Sequence, residues 1–131
     1  MYKPLYTDFD LDNLSKWQKF TLWFPFLGIN FKITKSLCMQ LKTRTEFPVE
    51  VWSEYKHLDF IIETSKSIAE INNWPNHYFL PNDPFELLIY SFDDGMELAS
   101  FLTRLENKIG HDFLTEKKIP YGFVFKKYKN D

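Results

Sequence analysis

Histidine, cysteine and carboxylate side chains are the groups in this chain that could do chemistry. The three histidines, His57, His77 and His111, are scattered along the sequence, whereas a metal site needs several such ligands that converge. Cys38 is the one cysteine, and no neighbouring sequence feature would activate its thiol. The sequence therefore predicts no metal and no cofactor, with each histidine either hydrogen-bonded or exposed and Cys38 a buried, inert thiol.

Two pairs of acidic residues, Asp93/Asp94 and Asp83/Glu86, are the candidates for general acid–base catalysis. Asp93 or Asp94 precedes a helical pattern, and an N-cap position accounts for an aspartate without catalysis. The few glycines are isolated and build no phosphate-cradling loop. We therefore predict that the protein is not an enzyme. An enzyme would need His77 or His111 to meet a carboxylate in a closed pocket.

Charge is unevenly distributed along the chain. Residues 57–119 carry 5 basic and 11 acidic side chains, a balance of −6, whereas the whole chain has a net charge of −2. A basic partner would be steered towards this segment. The segment contains an aromatic turn at residues 74–84, WPNHYFLPNDP. That turn is either a rigid connection that covers the core edge or a contact surface, because aromatic residues are common interface anchors.

These features predict a non-enzymatic interaction protein that binds a basic protein partner through an acidic surface. Acidic side chains would steer the partner, and aromatic side chains would anchor it. The predicted partner-binding residues are Trp74, Tyr78, Asp83, Glu86, Asp93, Asp94 and Glu97.

Other kinds of partner are disfavoured. Lysine and aromatic residues interleave at residues 31–35 and 125–128, but a lysine row that protects a sheet edge has the same pattern, and the net negative charge opposes phosphate binding. The longest apolar stretch, residues 20–31, is shorter than the roughly 20 residues that span a bilayer. The lack of a secretory pattern and the single cysteine indicate a cytoplasmic protein.

The elements that would position these residues form a helix-rich α+β domain with a small sheet. Apolar residues at helical spacing predict helices over about 14–24, 50–73 and 93–110. The middle helix would turn Glu54, Asp59, Glu63, Lys66 and Glu70 away from its apolar stripe. Strands are predicted near 29–34, 85–90 and 121–128, although a run as short as 85–90 is also compatible with a helix.

The length and composition fit a single domain over residues 1–131. Of these residues 44% are hydrophobic and 19% aromatic, which is enough apolar surface for an independent core. The aromatic residues either build a large core or leave an exposed apolar patch, and such a patch would form the interface of a homodimer.

Residues 57–113 resemble an acyl-carrier-like domain. A helix over 57–73 is followed by a long turn, and Phe92-Asp93-Asp94-Gly95-Met96-Glu97-Leu98 then opens a second helix. Carrier proteins have an Asp-Ser-Leu opening at this place, and Gly95 stands where their serine would bear phosphopantetheine. The resemblance implies a helical bundle that lacks the attachment site of the prosthetic group.

Two further resemblances concern the aromatic turn and the whole chain. Trp74-Pro75-Asn76, followed by Phe79-Leu80-Pro81-Asn82-Asp83-Pro84, is similar to a turn in a group of small bacterial proteins. In size, acidity and lack of catalytic motifs, the chain resembles the immunity proteins that neutralise bacterial toxins. This last resemblance implies an inhibitor that covers a basic toxin surface.

Overall fold

A computed structural model describes residues 3–7, 29–89, 95–110 and 119–129. Five α-helices occur in these ranges: α1 (Ile29–Lys42), α2 (Leu58–Asn72), α3 (Phe85–Leu88), α4 (Gly95–Ile109) and α5 (Tyr121–Val124). A short 3₁₀ helix, Lys126–Tyr128, follows α5. The predicted helix over 14–24 lies outside the described residues.

The predicted α+β fold is wrong, because the described ranges contain helices and no strand. Their only β-type pairings are two isolated bridges, Tyr55 with Lys129 and Pro84 with Pro120. Each of the three segments predicted as strands, 29–34, 85–90 and 121–128, contains or begins a helix instead.

Longer periodicity explains why these segments are helical. Ile33, Leu37 and Leu41 are all fully buried, and their spacing of four residues continues a helical stripe well beyond residue 34. Tyr121, Val124 and Phe125 are likewise buried at the spacing of one helical face. A window of six residues shows alternation in both cases, and only the neighbouring residues distinguish a helix from a strand.

The second helix begins later than predicted and ends where predicted. Residues 50–54 form turns and Tyr55 belongs to the bridge with Lys129. His57 adopts a left-handed conformation with φ of 58° immediately before α2. Asn73 has the same conformation at the other end, and its N–H donates to the carbonyls of Ala69 and Glu70. This is the usual way in which a helix satisfies its last carbonyl groups.

The helix predicted over 93–110 is confirmed as α4. Of the apolar residues at helical spacing in this range, Leu102, Leu105 and Ile109 are buried, whereas Met96 is 86% exposed. Gly110 follows α4 with φ of 85°, a conformation that glycine adopts without strain.

The core accounts for much of the aromatic content. Trp52, Phe79, Tyr121 and Phe125 are fully buried, and the Trp52 ring packs edge-on against Tyr121 at 5.5 Å and Phe125 at 6.0 Å between centroids. Edge-to-face pairs of this kind add stability beyond their buried area. The Trp52 indole N–H donates to the Phe79 carbonyl at 2.8 Å, and the Ser65 and Tyr121 hydroxyls share a hydrogen bond of 2.7 Å.

No helix in the described ranges is both long and apolar enough to cross a membrane.

Candidate partner-binding surface

Asp83 is an interior residue. Its side chain is fully buried and forms a bidentate ion pair with Arg44, with Nη1–Oδ2 and Nη2–Oδ1 distances of 2.7 and 2.9 Å. Its carboxylate also accepts hydrogen bonds from the backbone N–H groups of Leu5 at 2.8 Å and Leu80 at 2.7 Å. Four donors therefore satisfy this carboxylate inside the protein, and it is not an exposed charge that could steer a basic partner.

The aromatic turn also packs largely inwards. Trp74 is buried, and its indole N–H donates to the Leu88 carbonyl at 2.6 Å. Tyr78 is half-buried, with its ring 4.9 Å from that of His77, while its carbonyl accepts a hydrogen bond from Arg44 Nη1. This geometry corresponds to a rigid connection over the core, in which His77 and Tyr78 are half-buried.

The remaining predicted residues do not form one surface with these. Glu86 is half-buried in the first turn of α3, and Glu97 is exposed in the first turn of α4. Asp93 and Asp94 lie outside the described residues. Among the described members of the predicted site, Glu97 alone is an exposed acid.

A different set of acids forms a continuous row on α2. Asp59, Glu63 and Glu70 are exposed, and Lys66 lies between them. Their spacing of i, i+4, i+7 and i+11 places all four side chains within a narrow sector of the helix. We call these four residues the acidic row. The sequence pattern identified them as the solvent face of a helix, but it gave no reason to prefer them as contacts over the acids of the aromatic turn.

A groove of about 290 Å³ runs between α2 and α4 beside the acidic row. Phe60, Phe101 and Leu105 supply its apolar side chains, and Glu63 belongs both to its lining and to the acidic row. Lys108, on the α4 side, places its ammonium 4.8 Å from the centre of the Phe60 ring. The remaining lining residues are Thr64, Ser67 and Arg104. Such a groove can accept an apolar side chain of a partner.

The groups that could do chemistry are dispersed in the structure. His57 packs against the Tyr128 ring at 4.9 Å between centroids, and His77 stacks on Phe47 at 6.0 Å. Burial lowers the pKa of His77, with a smaller contribution from Lys66, and burial raises the pKa of Cys38. The described residues contain no group of three or more side chains that could hold a metal ion. His111 lies outside the described residues.

Comparisons with protein-family models, with curated proteins and with solved structures find no match to this chain. Gly95, which the carrier resemblance would align with the attachment serine, is the first residue of α4. The carrier, immunity-protein and aromatic-turn resemblances stay predictions.

Proposed function

We propose that this protein is a non-enzymatic binding protein for a basic protein partner, of the kind that inhibits by covering the partner's surface. The contact surface in this proposal is the acidic row together with the adjacent α2–α4 groove. The observation that carries it is the exposed line of Asp59, Glu63 and Glu70 along one face of α2.

Electrostatics supports the choice of a basic partner. Along α2 the acidic row has three carboxylates and one ammonium, and it lies in the chain segment with a balance of −6. Arg104 and Lys108 line the α4 side of the groove, so the acidic face is that of α2 alone. Aligned exposed charges mainly raise the rate of association and reject partners of the wrong sign. The row therefore accounts for steering, which the buried Asp83 cannot provide.

The groove supplies the short-range part of the contact. Interfaces obtain most of their binding energy from a few apolar or aromatic groups that lose water on binding. Phe60 and Phe101, both half-buried, offer such a surface within reach of Glu63, and the buried Leu105 lies beneath them. The proposal therefore assigns anchoring to this groove instead of to Trp74.

The test begins with capture of partners on the tagged full chain from a lysate of the source organism. Each purified candidate is then titrated onto the wild type and onto an Asp59→Lys/Glu63→Lys variant. We expect a basic partner with 1:1 stoichiometry, and an affinity at least about tenfold lower for the variant because both changes reverse charge at the contact.

A matched control is the double reversal Glu50→Lys/Glu54→Lys, which makes the same change of net charge at two exposed acids outside α2. It should leave the affinity within about twofold if the row is the contact. Equal losses for the two variants, or partners that are all acidic, would overturn the proposal.

A further inference from the structure

The segment 3–7 lies against the rest of the protein as a bound peptide would. Its Leu5 side chain is only 3% exposed, whereas Tyr6 is 58% exposed. The segment does not pair with a β-strand, because the described ranges contain no strand. Side chains of the protein body hold it instead.

Three side chains recognise the backbone of this segment. Arg44 Nη2 donates to the Lys3 carbonyl at 2.8 Å, and Asp83 Oδ1 accepts from the Leu5 N–H at 2.8 Å. Gln40 forms a two-point contact, because its Oε1 accepts from the Tyr6 N–H at 3.1 Å and its Nε2 donates to the Tyr6 carbonyl at 3.0 Å. Contacts to the backbone bind an extended peptide whatever its side chains are.

Contacts independent of the segment fix the recognising groups in place. Asp83 is held by both nitrogens of Arg44 and by the Leu80 N–H. Arg44 also donates to the Tyr78 carbonyl at 2.9 Å, and Gln40 contacts the Ser36 hydroxyl at 3.2 Å. A site built before its ligand arrives binds with a smaller entropy cost.

Two cavities adjoin the segment. One cavity of about 400 Å³ is bounded by Lys3, Pro4 and Tyr6 of the segment and, on the protein body, by Gln40, Thr43, Arg44, Thr45 and Glu46. Another, of about 440 Å³, lies between Tyr6 and the exposed side of α1, where Lys32, Lys35 and Met39 line it. The residues next to the buried leucine in a bound segment can therefore vary in size without a clash. This is typical of a site that recognises one anchor residue.

We propose that the cleft formed by Gln40, Arg44 and Asp83 is a binding site for extended peptide segments that carry a leucine. In this structure, residues 3–7 of the same chain occupy the cleft. A partner segment binds when the chain's own segment is displaced, with its leucine in the Leu5 position and its backbone on Gln40 and Asp83. This site is separate from the acidic row and does not depend on the function proposed above.

The experiment uses the full chain with a Leu5→Asp change, because a carboxylate at the buried position should displace the segment. A fluorescent synthetic peptide with the sequence of residues 1–8, MYKPLYTD, is titrated onto this variant and onto the wild type. We expect saturable 1:1 binding to Leu5→Asp and at least about tenfold weaker binding to the wild type, whose own segment competes at high effective concentration.

Two matched changes separate specific binding from adhesion. The same peptide with aspartate at position 5 should bind about tenfold more weakly or worse, because it loses the buried leucine. A Leu5→Asp/Gln40→Ala chain should also bind the original peptide more weakly, because the two-point contact to the backbone is gone. If Leu5→Asp does not fold by circular dichroism, Leu5→Ala replaces it. Absence of saturable binding to a folded Leu5 variant would overturn the proposal.

Discussion

Arg44 and Asp83 show how one ion pair organises distant parts of this chain. The pair joins the end of α1 to the aromatic turn, 39 residues further along, and it also holds Lys3 and Leu5 through their backbones. A buried charge is tolerated only when its partner and its hydrogen bonds are all in place. Removing one partner should therefore cost far more than removing an exposed acid.

We predict that Asp83→Asn lowers the free energy of unfolding by about 3 kcal/mol, because it leaves the Arg44 guanidinium buried without a counter-charge. Urea denaturation followed by tryptophan fluorescence measures the change. Glu63→Gln is the control and should stay within about 0.5 kcal/mol, because Glu63 is exposed. Equal effects of the two substitutions would contradict the structural role of Asp83.

His77 predicts a dependence of stability on pH. Burial lowers its pKa in the folded protein below the ordinary value of 6.5. At pH values between these two pKa values, the unfolded chain therefore binds more protons than the folded one. Its contribution to stability is complete above about pH 6.5 and is lost as the pH falls towards the folded-state pKa. His77→Gln should reduce the loss of stability between about pH 7 and pH 5. If the denaturation midpoints of the wild type and of His77→Gln change with pH in the same way, His77 is not the titrating group.

At the scale of elements, short helices and tight turns decide how the core closes. α5 has only four residues, and within it Gly122 donates its N–H to the Pro81 carbonyl at 2.7 Å. A Cβ at position 122 would lie 3.0 Å from the Pro81 Cβ and 3.1 Å from the Pro81 carbonyl oxygen, with the Tyr55 hydroxyl closer still. Only glycine allows this approach between α5 and the aromatic turn.

We predict that Gly122→Ala lowers the free energy of unfolding by roughly 2 kcal/mol, because the added methyl group forces α5 away from Pro81. Thermal and urea denaturation measure the loss. Ser100→Ala, a change of similar size at an exposed position of α4, should stay within about 0.5 kcal/mol. Unchanged stability of Gly122→Ala would mean that α5 does not pack as closely as described.

Element length also explains which parts of the fold the sequence could predict. α4 was predictable because its apolar residues repeat over four turns, and the end of α2 because Asn73 and Pro75 follow its last apolar residue. Residues 50–57 have apolar spacing typical of a helix but are not helical, and the turns over 50–54 bury Trp52. Nothing local distinguishes these two outcomes, because packing of Trp52 against Tyr121 decides between them.

The candidate surface was predictable only in part. Composition located the acidic segment, and periodicity identified the exposed face of α2. Burial of Asp83 depends on Arg44, which is far away in the sequence, and no local pattern indicates that pairing. Trp74 and Asp83 were therefore predicted as contacts for their residue types, although the fold uses both internally.

At the scale of the whole molecule, the described surface has faces of opposite character. α1 contains three lysines, Lys32, Lys35 and Lys42, all exposed, and no acidic residue. α2 presents the acidic row. The lysines of α1 favour an acidic partner, and the acidic row of α2 favours a basic one.

Salt dependence is the corresponding prediction for the intact protein. Association with the basic partner should slow several-fold when the ionic strength rises from about 0.01 M to 0.15 M, because the Debye length then falls from about 30 Å to 8 Å. Stopped-flow or surface-plasmon-resonance association rates measure this effect. A rate independent of salt would indicate an interface without electrostatic steering.

The most direct test measures stability and partner affinity together for Asp83→Asn and Asp59→Lys/Glu63→Lys. We predict that Asp83→Asn lowers stability by about 3 kcal/mol but leaves the partner affinity of the folded protein within about twofold. The charge reversal should leave stability within about 1 kcal/mol and lower the affinity at least about tenfold. Loss of affinity with Asp83→Asn, and none with the reversal, would contradict a contact surface on α2.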